Sequence, residues 1–449
     1  MFVRLIYDEI CKYFRLKNKI ISVYGMGNVG GPLAAAWLRA NANLIGVDVS
    51  TKLLEEIKLG ISHQHEPFLS QIFTKSLKKN KLQLTNDGIL ASKNSQIKIV
   101  AVPVALKNNV IDLSIIKLVA NNISKGLKKN DCVIICPSLP PGTTEKIILP
   151  ILEKNSKLKG EKDFFLIYNP ERIFEGRALK DIEENYPAII SGLGPKSLKF
   201  AENLLSIISK KGLLKMSSLS AAEAEKLFEG VYRDVNIALA NELSDYCERA
   251  KINFYEARKG ANSQPFCHLH YPGTGVGGLC IPVYPKFIIN NSITLGKHMK
   301  ILEHSRKIND FMPKKCVSDA LQLFRKNKKN IKHLKVAILG LGFRGEVSDT
   351  RLSPTYDVVK QFLTKGHKVI VHDPYVKEDT NLPNSVILSH NLKSILKQAD
   401  LVFISTDHKQ YSKINENHLK NNSVIIYDGR NILNKTNFKK SIIKTIGIN

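Results

Sequence analysis

Two stretches of this 449-residue sequence hold residues whose types and spacing could do chemistry. The first is Gly25-Met26-Gly27-Asn28-Val29-Gly30, followed by Asp48. Glycines so spaced allow a tight turn, close approach of a pyrophosphate and close helix–strand packing, and a helix N-terminus there attracts phosphate charge. An acid after the next strand can accept both ribose hydroxyls and repels a 2′-phosphate, so Asp48 predicts NAD rather than NADP. The second stretch is Tyr271-Pro272-Gly273-Thr274-Gly275-Val276-Gly277-Gly278-Leu279-Cys280. Four glycines in six residues predict a backbone with little steric cover, against which a ligand can lie. Cys280 is a candidate nucleophile, because a thiol can trap an aldehyde as a thiohemiacetal and present a second hydride. Taken alone Cys280 would read as an inert packing residue; the dinucleotide motif elsewhere changes the balance. Cys132, Cys136 and Cys247 fall in strand or helix patterns, and Cys11, Cys267 and Cys316 in unremarkable contexts, so buried small-hydrophobe roles are expected for these six.

The elements that must position these groups follow from apolar patterning. Lys19–Tyr24 reads as a strand, Gly31–Ala40 as the helix after the turn, and Leu44–Val47 as the strand that ends at Asp48. Ile97–Val102, Cys132–Cys136 and Phe164–Tyr168 extend a βαβ alternation and hence a parallel sheet. The strand signal then fades, and Ala221–Lys251 reads as one long helix. Strands return at Lys335–Leu339, Lys368–His372, Leu401–Ser405 and Val424–Tyr427, after a lysine-rich approach at Arg325–His333. A second turn, Gly340-Leu341-Gly342-Phe343-Arg344-Gly345, makes a faint internal repeat. It has no acid at the matching distance, so it is expected to serve another anion or only the fold. The predicted fold class is α/β, two Rossmann-like domains joined by a central helical domain with one long helix. The expected boundaries are 1–212, 213–313 and 314–449.

Composition agrees: 43% hydrophobic and 24% charged residues suit a globular chain with real cores. The charge-free runs Ile20–Leu38 and Phe266–Pro285 are broken by glycine or proline, so no membrane span is expected. The charged start, Met1–Lys19, does not read as a secretory signal. Seven cysteines without a CxxC pair predict reduced thiols and a cytoplasmic location. The net charge of +27 lies in short lysine runs, which argues against a nucleic-acid partner and for a field that draws anionic small molecules.

Further motifs are ordered along the chain: Gly60-x-x-His63-x-x-Glu66-Pro67, Pro141-Gly142-Thr143-Thr144, Asn169-Pro170-Glu171-Arg172, Ala222-Glu223-x-x-Lys226 and Asn236-x-Ala238-x-x-Asn241-Glu242. The cysteine loop follows, then Asp349-x-Arg351-x-Ser353-Pro354, Asp373-Pro374-Tyr375 and Asp428-Gly429-Arg430. From about Lys19 to its C-terminus the chain resembles the UDP-sugar 6-dehydrogenases, which include UDP-glucose, UDP-N-acetylglucosamine and UDP-N-acetylmannosamine dehydrogenases.

The resemblance implies NAD-dependent four-electron oxidation of a sugar C6 hydroxyl, through a Cys280 thiohemiacetal and thioester, to the uronate. It makes the three domains NAD-binding, central and UDP-sugar-binding. Lys226 would stabilise negative charge on the substrate oxygen. Glu171 and Glu175 are acids near substrate and cofactor, Glu175 being the candidate for activating the hydrolytic water. Ser138 stands where a threonine is usual. The turn Gly25 to Gly30, Asp48, Pro103, Ser138, Glu175 and Arg351 would hold NAD. The substrate would meet Glu171, Arg172, Lys226, Gly230, Tyr271, Gly273, Gly275, Gly277, Phe343 and Arg344, the last pair standing where the family carries lysine. No metal is implied. A homodimer through the long helix is.

Arg172, where glucose-type members carry an aromatic residue, favours an N-acetylated sugar, UDP-ManNAc first, with UDP-GlcNAc or UDP-glucose as alternatives. Three departures stand out. Gly230 replaces an asparagine, at roughly 1 kcal/mol against alanine inside a helix. Tyr284 replaces an aspartate that helps hold the catalytic water. Val104-Ala105 replaces Thr-Pro beside the cofactor. The expected result is a variant with working chemistry and an altered hydrolysis step; the competing reading is a sugar-nucleotide-binding homologue without turnover. A two-electron β-hydroxyacid dehydrogenase is disfavoured, since a single oxidation needs no trapping thiol.

Overall fold

The structure, a computed structural model, describes residues 19–61, 66–107, 109–327, 333–420 and 424–448. The N-terminal extension, Cys11, His63 and most of the lysine-rich approach lie outside these residues. The chain divides into two compact units, one ending at Phe228 and the other beginning at Glu229.

In the first unit the strands are β1 (Ile20–Tyr24), β2 (Asn43–Val47), β3 (Leu82–Thr85), β4 (Ile97–Val100), β5 (Ala105–Lys107), β6 (Val110–Asp112), β7 (Cys132–Ile135), β8 (Phe165–Tyr168), β9 (Ala188–Gly192) and β10 (Leu213–Lys215). Eight form one sheet in the order β10-β9-β8-β7-β4-β1-β2-β3, and β5 and β6 form a separate hairpin. All neighbours in the sheet are parallel except β8 and β9. Central strands such as β7, Cys-Val-Ile-Ile, are unbroken apolar runs because helices cover both faces. Lys98 departs from that pattern: fully buried in β4, it pairs with Asp131. The helix Gly30–Arg39 lies close to the sheet through Ala34, Ala35 and Ala36, with Trp37 fully buried.

In the second unit β11 (Lys335–Leu339), β12 (Lys368–His372), β13 (Ile387–Ser389), β14 (Leu401–Ile404), β15 (Ile425–Asp428) and β16 (Ile442–Thr445) form a parallel sheet in the order β13-β12-β11-β14-β15-β16. The first sheet contains the same winding, β3-β2-β1-β4-β7-β8, so both ends of the chain are Rossmann-like. Each winding reverses between its first and fourth strands, where ligands of such sheets bind.

Between the sheets in sequence lie the helix Leu219–Ala250, of 32 residues, and a second long helix, Lys300–Asn327, of 28. The first of these is the long helix expected from the sequence; in the second, Pro313 interrupts the pattern, yet its neighbours Met312 and Cys316 are core residues and packing carries the helix through. Arg325, placed in an exposed approach, belongs to this helix. Among the described residues no helix is long and apolar enough to cross a membrane.

Candidate active site

β1 delivers the chain into the first glycine turn. Gly25 has φ +91°, a conformation side chains rarely tolerate, and its amide donates to the Val47 carbonyl at 2.8 Å. A Cβ on Gly30 would lie 1.7 Å from the Gly25 carbonyl oxygen, so glycine there sets the distance between turn and helix. A Cβ on Gly27 would meet nothing within 4 Å, and no side chain caps the helix that begins at Gly30. That open, uncapped helix end fits a pyrophosphate. Asp48 follows β2; its Oδ2 accepts from the Met26 amide at 2.8 Å and its Oδ1 from the Ser50 amide at 2.9 Å. A carboxylate has about four acceptor sites, so capacity remains for two ribose hydroxyls. Pro103 is exposed, and Val104-Ala105 lead into the β5–β6 hairpin.

The same unit gathers several of the acids and the lysine. Beyond β8, Glu171 places Oε1 3.8 Å from Lys226 Nζ, with both side chains about nine-tenths buried. Glu171 Oε2 accepts from the Ile173 amide at 3.1 Å. The loop carrying Glu175 is held by two carboxylates: Glu66 accepts from the Gly176 and Ala178 amides, and Asp181 from the Phe174 amide at 2.7 Å. Burial, and secondarily Glu175 and Asp181 against the pull of those amides, raises the Glu66 pKa. Arg172 is engaged by protein, its guanidinium 4.9 Å from the Tyr186 ring centre and 3.8 Å from Glu225. The cavity beside Asn169 to Ile173 is about 40 Å³, room for a few waters and not for a nucleotide.

Glu223, in the sequence only one member of the motif Ala222-Glu223-x-x-Lys226, ties this region together. Fully buried on the long helix, it accepts from the Gly142 amide at 2.5 Å, the Thr144 amide at 2.8 Å and the Thr144 hydroxyl at 2.6 Å. Burial pushes its pKa up to about 7 against those three donors. The clamp fixes the loop that follows half-buried Ser138, one helical turn from Lys226. The spacing of Glu223 and Lys226 was the available signal.

The second unit holds the cysteine loop. Cys280 is exposed, Cys132, Cys136, Cys247 and Cys316 are buried, and all are free thiols. Cys267 departs from the buried role expected of it: it is half-exposed and bonds to Asn262 Oδ1 at 3.5 Å. The Cys280 carbonyl accepts from the Val283 and Tyr284 amides, starting the helix Tyr284–Thr294. The Tyr284 hydroxyl donates to Cys280 Sγ at 3.3 Å. On the long helix, a Cβ at Gly230 would lie 2.4 Å from the Tyr284 ring.

The open glycine backbone expected of this loop is not what the glycines provide. A Cβ on Gly273 would lie 2.7 Å from Arg430 Nη1, one on Gly275 2.7 Å from Pro354, and one on Gly277 2.6 Å from Phe343 Cβ. The missing side chains admit protein, and their place is taken by residues of the C-terminal domain. Gly273 is also fixed by its amide, which donates to Asn241 Oδ1 at 2.9 Å. Asn241 donates to Asn309 at 3.0 Å, Asn309 to Asp234 at 2.8 Å, and Asp234 is paired with buried Arg306. Tyr271 is exposed beneath the Arg258 guanidinium, 3.7 Å from its ring centre.

The second glycine turn does have its acid, which sequence spacing hid. Asp373, directly after β12, accepts from the Leu341 and Gly342 amides at 2.7 and 2.9 Å. His408 Nε2 lies 3.1 Å from the same oxygen, and the Tyr375 and Val376 amides donate to the other. Because His408 Nδ1 accepts the Glu346 amide at 3.0 Å, the imidazole proton is assigned to Nε2. Burial opposes ionisation of Asp373, but His408 and the amides outweigh it and hold the pKa down to about 2. Five donors fill this carboxylate, so it can fix the turn and cannot also take ribose hydroxyls. Phe343 packs on the cysteine loop, Arg344 is half-buried, and Arg351 forks onto Asp349, with Nε 2.9 Å from Oδ1. Among the described residues no cluster of His, Cys, Asp or Glu could hold a metal ion.

Three family models match in order: the UDP-glucose/GDP-mannose dehydrogenase family NAD binding domain over residues 19–208, its central domain over 220–311 and its UDP binding domain over 337–435. A UDP-N-acetyl-D-mannosamine dehydrogenase of Pyrococcus horikoshii is 32% identical over 417 residues, covering 92% of this chain and 96% of that protein. An NDP-N-acetyl-D-galactosaminuronic acid dehydrogenase of Ralstonia nicotianae is 30% identical, covering 91% and 95%. A solved structure of the Pyrococcus horikoshii UDP-D-ManNAc dehydrogenase superposes with a TM-score of 0.87 at 30% identity, over 95% of this chain and 99% of that one.

Proposed function

Because this chain belongs to the UDP-glucose/GDP-mannose dehydrogenase family, with its NAD-binding and UDP-binding domains, we propose that it oxidises C6 of a UDP-N-acetylhexosamine to the uronate. UDP-ManNAc is the first choice, supported by the 32% identical relative of that name. The observation that carries the covalent route is Cys280, the exposed thiol among the described cysteines, with a hydroxyl on its sulfur.

The turn from Gly25 to Gly30 would seat the NAD pyrophosphate and Asp48 the ribose. Bound NAD supplies the hydride acceptor for each of two oxidations at C6. Lys226, a nearly buried ammonium, stabilises the alkoxide that forms as the hydroxyl proton leaves, and Glu171 holds Lys226 in place. Cys280 Sγ adds to the aldehyde carbon, retaining a reactive intermediate that would otherwise diffuse away. Oxidation of that adduct leaves a thioester, which water cleaves. Glu175 is the proposed base for the water, on a loop made rigid by Glu66 and Asp181. The same reading assigns 1–212 to NAD, 213–313 to the helices and cysteine loop, and 314–449 to the UDP-sugar. Arg172 supports the N-acetyl preference only through its identity, since its guanidinium is already spent on Tyr186 and Glu225.

The test is NADH formed per sugar consumed with UDP-ManNAc, UDP-GlcNAc and UDP-glucose side by side. Two NADH per UDP-ManNAc, lost in Cys280→Ala, is the expected result. Turnover of UDP-glucose alone would overturn the sugar assignment. Tight binding of nucleotide sugar with no NADH from any of the three would establish a binding protein instead.

A further inference from the structure

We propose that Tyr284 is a catalytic residue of this chain, its hydroxyl stabilising the Cys280 thiolate, and that Gly230 is the space that admits its ring. The proposal rests on the reading of Cys280 as the nucleophile. The hydroxyl lies 3.3 Å from Sγ. A thiolate carries no proton, so the bond can run only from O–H to sulfur, and a hydrogen bond to an ionised acceptor is the stronger kind. The ring is buried, 6% exposed, at the first position of the helix Tyr284–Thr294, whose start is tied to Cys280 by the Tyr284 amide donating to the Cys280 carbonyl at 2.9 Å.

Gly230 gives the second, independent observation. Any side chain there would place its Cβ 2.4 Å from Tyr284 Cδ2, with two further ring-side atoms within 3.2 Å. Glycine inside a helix is otherwise unfavourable. The ring at 284 and a side chain at 230 exclude one another, so the two departures from the family pattern are one exchange. An amide donor and a carboxylate are given up together, and a phenol takes a place against the nucleophile.

The chemistry balances without another reactant. The thiol releases its proton to solvent, the thiolate forms the C–S bond to the aldehyde carbon, and the carbonyl oxygen takes up a proton. No oxidation state changes, and Tyr284 keeps its own proton. When the thioester is cleaved, the C–S bond breaks, water supplies the second carboxylate oxygen and gives up its two protons by way of Glu175 to solvent, and sulfur leaves as thiolate into the same hydrogen bond.

The test uses full-length protein without nucleotides: iodoacetamide alkylation of Cys280, followed by peptide mass spectrometry at pH 7 and pH 10. Tyr284→Phe keeps the ring and loses the hydroxyl. It should alkylate about tenfold more slowly than wild type at pH 7, and at least as fast at pH 10, where both thiols are ionised and the thiolate without the hydrogen bond is the stronger nucleophile. Gly230→Ala should show the same loss by displacing the ring, and the double variant should be no slower than either single one. Equal rates at pH 7 for wild type and Tyr284→Phe would overturn the proposal, as would a deficit that persists at pH 10. If Gly230→Ala does not fold, the Tyr284→Phe comparison decides alone. Alkylation needs no turnover, so a protein that forms no NADH still answers this question, and a negative answer here leaves the NADH count to be read separately.

Discussion

Asp48 and Asp373 stand at corresponding places, each after the second strand of its winding and each holding amides of a glycine turn. What separates them is the capacity left over. Asp48 accepts two amides, whereas Asp373 is filled by four amides and His408, so only the first turn keeps acceptor sites for a ribose. Asp48→Asn retains an oxygen for Met26 and removes the charge that repels a 2′-phosphate. The ratio of kcat/KM for NAD over NADP should fall about 10- to 100-fold, as expected for losing hydrogen bonds to a charged acceptor. An unchanged ratio would mean that Asp48 serves the turn alone. Asp48 was legible because its strand follows the turn at the usual distance. Asp373 sits farther from its turn, and only the folded register of β11 and β12 reveals its identical task.

At the scale of elements, the cysteine loop is placed by two helices through a buried polar chain. Arg306 and Asn309 on the helix Lys300–Asn327 engage Asp234 on the long helix, and Asn309 passes the order to Asn241 and so to Gly273. Asp234 is fully buried and burial raises its pKa, with Arg306 opposing. Removing one partner leaves an uncompensated buried charge, so Arg306→Leu should cost about 3–5 kcal/mol in urea unfolding. A loss below about 1 kcal/mol would place the pair with ordinary surface ion pairs. This network was unreadable in the sequence because its members are polar residues on helical faces that would pass as solvated. The helix carrying half of it was hidden too, since Pro313 breaks the local pattern that tertiary packing overrides. By contrast the central strands were read to within two residues, because an apolar run flanked by turns has few other folds available. The pairing of Gly230 with Tyr284 is legible only when both ends are seen in contact.

For the molecule as a whole, assembly is the property that the exposed surface addresses. The long helix carries Phe228, Tyr232, Leu239 and Tyr246 exposed, at spacings of four, seven and seven residues. Seven residues are nearly two helical turns, so Tyr232, Leu239 and Tyr246 share a face and Phe228 adjoins it. We propose that this stripe holds the homodimer implied by the sequence resemblance, and charge provides a way to recognise what kind of contact it is. Each protomer carries a net +27, so two copies repel, and added salt weakens that repulsion as the Debye length falls from about 10 Å at 0.1 M to about 3 Å at 1 M. Contacts between apolar side chains are not weakened in this way, whereas an interface of ion pairs would be. Sedimentation should therefore give twice 50.3 kDa, with the dimer tightening as salt rises. Leu239→Glu with Tyr246→Glu should return the mass to one protomer, because two carboxylates would be buried against a facing copy of themselves. A wild-type mass of one protomer at both salt levels would remove the dimer. A dimer that loosens with salt would move the interface away from this stripe and onto charged surface elsewhere on the chain.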